Sequence, residues 1–257
     1  MASVLAYTKE LYDYIWSFRD TRIDAWNSNI TRGSFVIPLI ISYVYVAKIG
    51  GPRWMKDRKP YDVKRGILAY NAFTVLANAY FLYRMLPLTL FGGGYSFLCQ
   101  GIDTDRERDM AVISLNWWYF LVRVADFTDT MFFVARKKYT HITHLHVSHH
   151  ALVVLSGWIW LNFGSDGQGR ARHMYQRKYL WWKKYLTTIQ IVQLVVVCAH
   201  SSLPIFFECG YPKGLCYLEM AQLVLGIVMF TNFYLKTYMG GGRSGPPPAE
   251  KSKEKGQ

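Results

Sequence analysis

Residues 145–163, LHVSHHALVVLSGWIWLNF, set three imidazoles at the head of an unbroken apolar run. His146, His149 and His150 stand three and four positions apart, which puts them on one face of a helix and lets all three rings turn into a single cavity. A bilayer core is crossed by about 20 mostly apolar residues, and this run approaches that length. Polar side chains inside a membrane are costly and are tolerated where they face a protein interior. The stretch therefore predicts a membrane helix that carries chemistry.

Outward from it, the rest of the chain is built the same way. Its 257 residues are 51% hydrophobic and 17% aromatic, with 9 Trp and 19 Tyr, and the mean hydropathy is +0.05. Membrane embedding is the first expectation from such a composition. Apolar windows predict spans at roughly 34–49, 67–90, 111–134, 146–163, 185–208 and 215–235. The fold class expected is all-α, a polytopic membrane helical bundle. Residues 1–33 read as a lumenal N-terminal segment without the continuous apolar core of a signal peptide, so the first span serves as a signal anchor. Residues 34–238 form the transmembrane domain. Residues 239–257, rich in Gly, Pro, Lys and Glu, read as a disordered basic cytosolic tail.

A net charge of +13 in a soluble protein would suggest nucleic acid. Here the charge sits in loops, where it reports orientation, and no nucleic-acid partner is expected. Lys48, Arg53, Lys56, Arg58, Lys59, Lys64 and Arg65 make the first connection cytosolic. The second carries Asp103, Asp105, Glu107 and Asp109 and reads as lumenal. Arg136, Lys137 and Lys138 bring the third span back to the cytosol, so the fourth exits into the lumen. Yet Arg170, Arg172, Arg177, Lys178, Lys183 and Lys184 follow it, a cytosolic signature. One further crossing between 163 and 183 would repair the topology: either residues 146–163 form a re-entrant hairpin or the chain lacks a helix, since the Gly-rich link 164–172 cannot itself span.

Beside the histidine box, Arg123, Asp126 and Asp129 with Thr130 recur at three-residue spacing along the third span. One reading is an intramembrane ion-pair network that fixes helix register. The other is a carboxylate that orients an imidazole, for which Asp129 is the candidate. Thr187, Gln190 and Gln193 form a similar ridge, able to bond a substrate or a neighbouring helix. Lys183 and Lys184, behind Trp181 and Trp182, combine ordinary interfacial anchoring with the capacity to meet a phosphate-rich ligand from the cytosol. His141 and His144 read as solvated loop residues and His200 as a bundle histidine. The four cysteines show no zinc spacing,. Cys99 and Cys209 both fall in predicted lumenal loops, where a disulfide is permitted, and buried free thiols are the alternative.

Taken in order, these motifs resemble the ELO family of very-long-chain fatty acid elongases, from about Trp54 to Tyr238. The resemblance is carried by Lys59-Pro60-Tyr61, Tyr70-Asn71, the stretch from Asp129-Thr130 through Arg136-Lys137-Lys138, the box itself, and Lys178 through Thr187. The family's Lys-x-x-Glu-x-x-Asp-Thr motif is met by Arg123, Asp126, Asp129 and Thr130, and its Thr-x-x-Gln-x-x-Gln motif without change. The resemblance implies condensation of malonyl-CoA with an acyl-CoA, releasing carbon dioxide, to a 3-ketoacyl-CoA two carbons longer. It implies that His149 or a neighbour accepts the acyl group while His146 and His150 polarise the thioester or stabilise the enolate. It also implies substrate contacts from Arg123, Asp126, Gln190, Gln193, Lys183 and Lys184. No cofactor or metal is expected, malonyl-CoA and acyl-CoA being substrates. The expected partners are these substrates, the lipid bilayer, and homo- or hetero-oligomers with elongases and other elongation-cycle enzymes.

This chain departs from the family after the box, where relatives carry a further helix and this sequence has room for only a fragment. Six spans are apparent where the family has seven, and His173 is given no catalytic role. The competing readings are an inactive truncated elongase that associates with an intact relative, and a di-iron membrane desaturase. The latter needs about eight ligands, which one box does not supply. Lys253 and Lys255 resemble a dibasic retrieval signal, and with the family likeness they predict the endoplasmic reticulum membrane.

Overall fold

The computed structural model describes residues 2–26, 33–89, 107–164, 183–208 and 210–239. Every regular element among them is helical. Helix α1 spans Ala2–Ser17 and leads through a 3-10 turn, Thr21–Trp26, toward α2, Gly33–Tyr45; α2 runs on through a π turn, Val46–Gly50, into α3, Gly51–Met55. Helix α4 covers Lys64–Thr89, α5 Glu107–Ala125, α6 Phe127–Ala135 and α7 His144–Phe163. Then come α8, Lys183–Ser201, the short α9, Leu203–Phe206, and α10, Lys213–Tyr234.

Each predicted span falls on a helix. Three segments, Gly33–Met55, Thr187–Phe206 and Lys213–Met239, are long and apolar enough to cross a membrane unaided. Only 17%, 11% and 17% of their most apolar windows are buried inside the protein. So much exposed apolar surface has no place in water and finds its solvent in lipid.

Two elements differ from expectation. The first span does not stop near residue 49, because the helix passes Gly50, Gly51 and Pro52 by widening to a π turn in which the Gly51 N–H reaches the Val46 carbonyl. The wider turn relieves the clash a proline ring makes with the preceding turn. Gly51 is required there, since a Cβ would lie 2.6 Å from the Val46 carbonyl oxygen and 2.7 Å from Val134 Cγ1. The third predicted span is interrupted at Asp126, where the chain tightens and the Asp129 N–H bonds the Asp126 carbonyl three residues back. A 3-10-like step of this kind re-aims the following helix.

The main core gathers Val36, Tyr43, Ile113, Phe120, Phe127, Val147 and Val154, where α2, α5, α6 and α7 meet. Helix α4 packs on α5 through Phe81, Met85, Val112 and Leu115. Helices α8 and α10 pair with each other, and α10 also meets α7. At the far end of α7, Trp16 stacks on Trp158 and meets Phe163 edge-on, and the Asp20 N–H bonds the Asn162 carbonyl at 2.6 Å. At the other end, α6 closes with a Schellman arrangement: Lys137 takes a left-handed φ of 55°, its N–H meets the Val134 carbonyl, and that of Lys138 meets Phe133,. The Lys48 ammonium donates to the Ile142 carbonyl at 2.8 Å, and Tyr61 N–H to the Ala135 carbonyl at 3.0 Å. These bonds tie the first and third predicted cytosolic connections together just below the histidine box. Cys99, Cys209, His173, the arginines and Lys178 of 164–182 and the tail 240–257 lie outside the described residues.

Candidate active site

The box is presented by the way α7 begins. Thr143 stands in an extended conformation at the N-cap, and its side-chain oxygen accepts the His146 backbone N–H at 3.1 Å. That is the ordinary use of a hydroxyl at a helix start, satisfying a donor the helix leaves unpaired. The three imidazoles then occupy the first two turns. Ring centroids of His146 and His150 are 4.5 Å apart and those of His149 and His150 5.7 Å, so the rings form one contiguous cluster, as their spacing predicts. Phe133 of α6 lies 5.6 Å from His146, and Phe230 of α10 lies 5.8 Å from His149. The rings are half-buried, with Phe133 and Phe230 as aromatic neighbours.

Two polar networks stand behind the cluster. Thr130, 0% exposed, shares hydrogen bonds of 2.9 Å with His146 Nε2 and with the Tyr43 hydroxyl. Tyr43 is held by face-to-face stacking on Phe127, with centroids 3.8 Å apart. In the second network, Arg123 and Asp126 form a buried ion pair at 3.0 Å. Asp126 also accepts the Tyr70 hydroxyl at 2.7 Å, and Arg123 donates to Asn78 at 3.2 Å and lies 4.7 Å over the Tyr119 ring. Asp129 is buried in the first turn of α6, one residue before Thr130. At His146 Nε2 the structure thus gives a hydroxyl partner, Thr130, from the same motif.

Gln190 and Gln193 lie half-buried on α8. Lys183 and Lys184 open α8, and their side chains lie outside the described residues. His144 is exposed but opens α7 rather than lying in a loop, and His141 stacks on Phe133 at 5.2 Å. An open, mainly apolar cavity of about 590 Å³ lies beside the box between α2, α7 and α10, lined among others by Lys48, His144, Ser148 and Met229.

Sequence reading missed four residues. Tyr43 and Asn78 carry no pattern that distinguishes them from neighbours, and only tertiary contact reveals them. Gln222 accepts the Ser156 hydroxyl at 2.7 Å and joins α10 to α7. Glu219, 4% exposed, was findable: a lone carboxylate in an apolar span is itself a signal,.

Comparison with known proteins identifies the family. The GNS1/SUR4 family (ELO) matches residues 30–174 and 170–245. Very long chain fatty acid elongase 4 of Homo sapiens is 32% identical over 260 positions, covering 93% of this chain and 82% of the relative. Very long chain fatty acid elongase 5 of Rattus norvegicus is 32% identical over 246 positions, 88% of this chain and 81% of the relative. A very long chain fatty acid elongase of Aedes aegypti is 30% identical over 272, with 97% and 75% covered.

The alignments also show a shortfall. The human comparison runs over 260 positions, while 93% of 257 residues is about 239, so about 21 positions of the relative face a gap in this chain. The family match comes in two pieces that overlap at 170–174. With its histidine box, its motif order and its helical membrane architecture, the chain belongs to the ELO, or GNS1/SUR4, family.

Proposed function

We propose that this membrane protein acts in very-long-chain fatty acid elongation as the condensing enzyme, a 3-ketoacyl-CoA synthase, with His149 as acyl acceptor. The observation that carries the reading is the contiguous imidazole cluster at the head of α7. A neutral ring nitrogen of His149 attacks the acyl-CoA thioester carbonyl; the carbon–sulfur bond breaks and CoA thiolate leaves, giving an acyl-imidazole. Malonyl-CoA then loses carbon dioxide, and its enolate carbon attacks the acyl carbonyl. The carbon–nitrogen bond breaks, His149 is regenerated, and a 3-ketoacyl-CoA two carbons longer departs. One proton, taken up by the CoA thiolate, balances the cycle, and no cofactor is called for.

Within this reading, His150 is placed to stabilise the developing enolate or thioester oxyanion. Asp129 is proposed to set the electrostatics of the cluster from behind it. Arg123 and Asp126 are engaged with each other, with Tyr70 and with Asn78, which favours a register-holding role over direct substrate contact. Gln190, Gln193, Lys183 and Lys184 are proposed to receive the CoA moiety at the cytosolic mouth. The family likeness supports an endoplasmic reticulum location. The test is purified chain in liposomes with labelled malonyl-CoA and an acyl-CoA primer: label in a 3-ketoacyl product, lost in His149→Ala, is expected. No label from the wild type overturns the reading.

A second reading rests on the shortfall of about 21 positions. Under it the chain binds a full-length relative through the face its missing crossing leaves open, and modulates that enzyme. It requires co-purification with the relative, and a change in the relative's turnover when the two share a liposome.

A further inference from the structure

We propose that Tyr43, Thr130 and His146 form a one-way hydrogen-bond relay that holds His146 as its Nδ1–H tautomer and makes it a positioning residue beside the acyl acceptor. The three residues come from α2, α6 and α7 and are linked by two contacts of 2.9 Å each. Geometry alone leaves the direction of both bonds open. Hydrogen counting decides it.

The Thr130 hydroxyl has one proton and meets two partners. Were that proton given to Tyr43, the phenol would be an acceptor and its own proton would be left over. Tyr43 is 4% exposed and stacked on Phe127, and among the described residues its hydroxyl has no partner besides Thr130. A buried donor without an acceptor is strongly disfavoured. A phenol is also the better donor and the poorer acceptor of the two hydroxyls, because its oxygen lone pair is drawn into the ring. Tyr43 therefore donates to Thr130, and Thr130 donates its only proton to His146 Nε2. A neutral imidazole that accepts at Nε2 carries its hydrogen on Nδ1.

The consequence bears on the division of labour in the box. With its Nε2 lone pair occupied by Thr130, His146 does not attack a thioester. Its ring instead forms a fixed wall 4.5 Å from His150, and the acyl group falls to the imidazoles beyond it. This last step rests on the condensing reading above; the tautomer does not.

The experiment therefore reads the tautomer directly. Chain labelled with nitrogen-15 in the histidine rings is placed in lipid nanodiscs at a pH of about 8, where an unperturbed imidazole is neutral. The His146 signals are identified by their loss in His146→Gln. Expected is a protonated Nδ1 in the wild type and in Thr130→Ser, replaced by the Nε2–H form in Thr130→Val. In Tyr43→Phe the buried Thr130 proton keeps His146 Nε2 as its acceptor, and the Nδ1–H form is expected to persist,. Nε2–H in the wild type overturns the relay without recourse to any variant. An unchanged spectrum in Thr130→Val overturns it equally. Absence of condensing activity alongside the expected tautomers would refute the catalytic reading and leave the relay standing.

Discussion

Replacing Asp126 by alanine removes the carboxylate from the most heavily buried ion pair in the described structure. Arg123 is 5% exposed, so its guanidinium would be stranded where neither water nor lipid headgroups reach it. Breaking one side of a buried pair costs about 3–5 kcal/mol, because the surviving charge keeps its desolvation penalty and loses its compensation. The Tyr70 hydroxyl, bonded to Asp126 at 2.7 Å, loses its acceptor as well. Asn78 at 3.2 Å and the Tyr119 ring at 4.7 Å hold the cation in both proteins, which favours the low end of that range,. The net expectation is a loss of about 3 kcal/mol, or a fall in Tm of about 6–12 °C at about 2–4 °C per kcal/mol for a chain of this size. Tryptophan fluorescence during heating in nanodiscs would follow it. The double replacement Arg123→Met with Asp126→Leu removes both charges and fills the same volume; with the Tyr70 hydroxyl still lacking its acceptor, it is expected to lie about 1–2 kcal/mol below the wild type. An Asp126→Ala protein as stable as the parent, or a double variant no better than the single, would refute the view that this pair sets the register of α4 and α5.

Other outcomes follow from single contacts. His149→Ala should lower 3-ketoacyl product formation at least about 100-fold if this ring accepts the acyl group, measured with labelled malonyl-CoA in liposomes. Thr143→Ala removes the N-cap of α7 and should cost about 1 kcal/mol in thermal unfolding,. Gly51→Ala drives a methyl to within 2.6 Å of the Val46 carbonyl oxygen and 2.7 Å of Val134, and should destabilise by about 1–3 kcal/mol through the separation of α3 from α6. Lys137→Gly relieves a side chain held at φ 55°; the gain of about 1–2 kcal/mol, less glycine's chain-entropy cost, should raise Tm by a few degrees.

Much of the candidate site was legible before any coordinates. The box spacing alone places three rings on one helical face, and their centroids fall within 6 Å of a neighbour in the cluster. The Arg123, Asp126, Asp129 stripe announced buried charge on an apolar helix, because no lipid-facing helix keeps such residues. Glu219 carried the same announcement in the last span and went unread. The loop charges between 163 and 183 call for a further crossing, on residues that lie largely outside the described ones. The break at Asp126 was not legible, since the apolar pattern runs straight through it and only the local tightening of the backbone marks it.

The order of amino acids by itself determined the class of protein and the face on which its imidazoles gather. Both depend on short-range periodicity and on transfer of apolar side chains from water, quantities summed along one segment at a time. Which hydroxyl meets which ring was decided only by tertiary packing. Tyr43 and Thr130 stand 87 positions apart, and nothing local to either residue encodes the crossing of α2 over α6 that joins them. The same holds for Asn78 and Arg123, 45 apart. A hydrogen bond is satisfied within about 3 Å, a tolerance that helix periodicity cannot supply and that the close-packed interface between helices can.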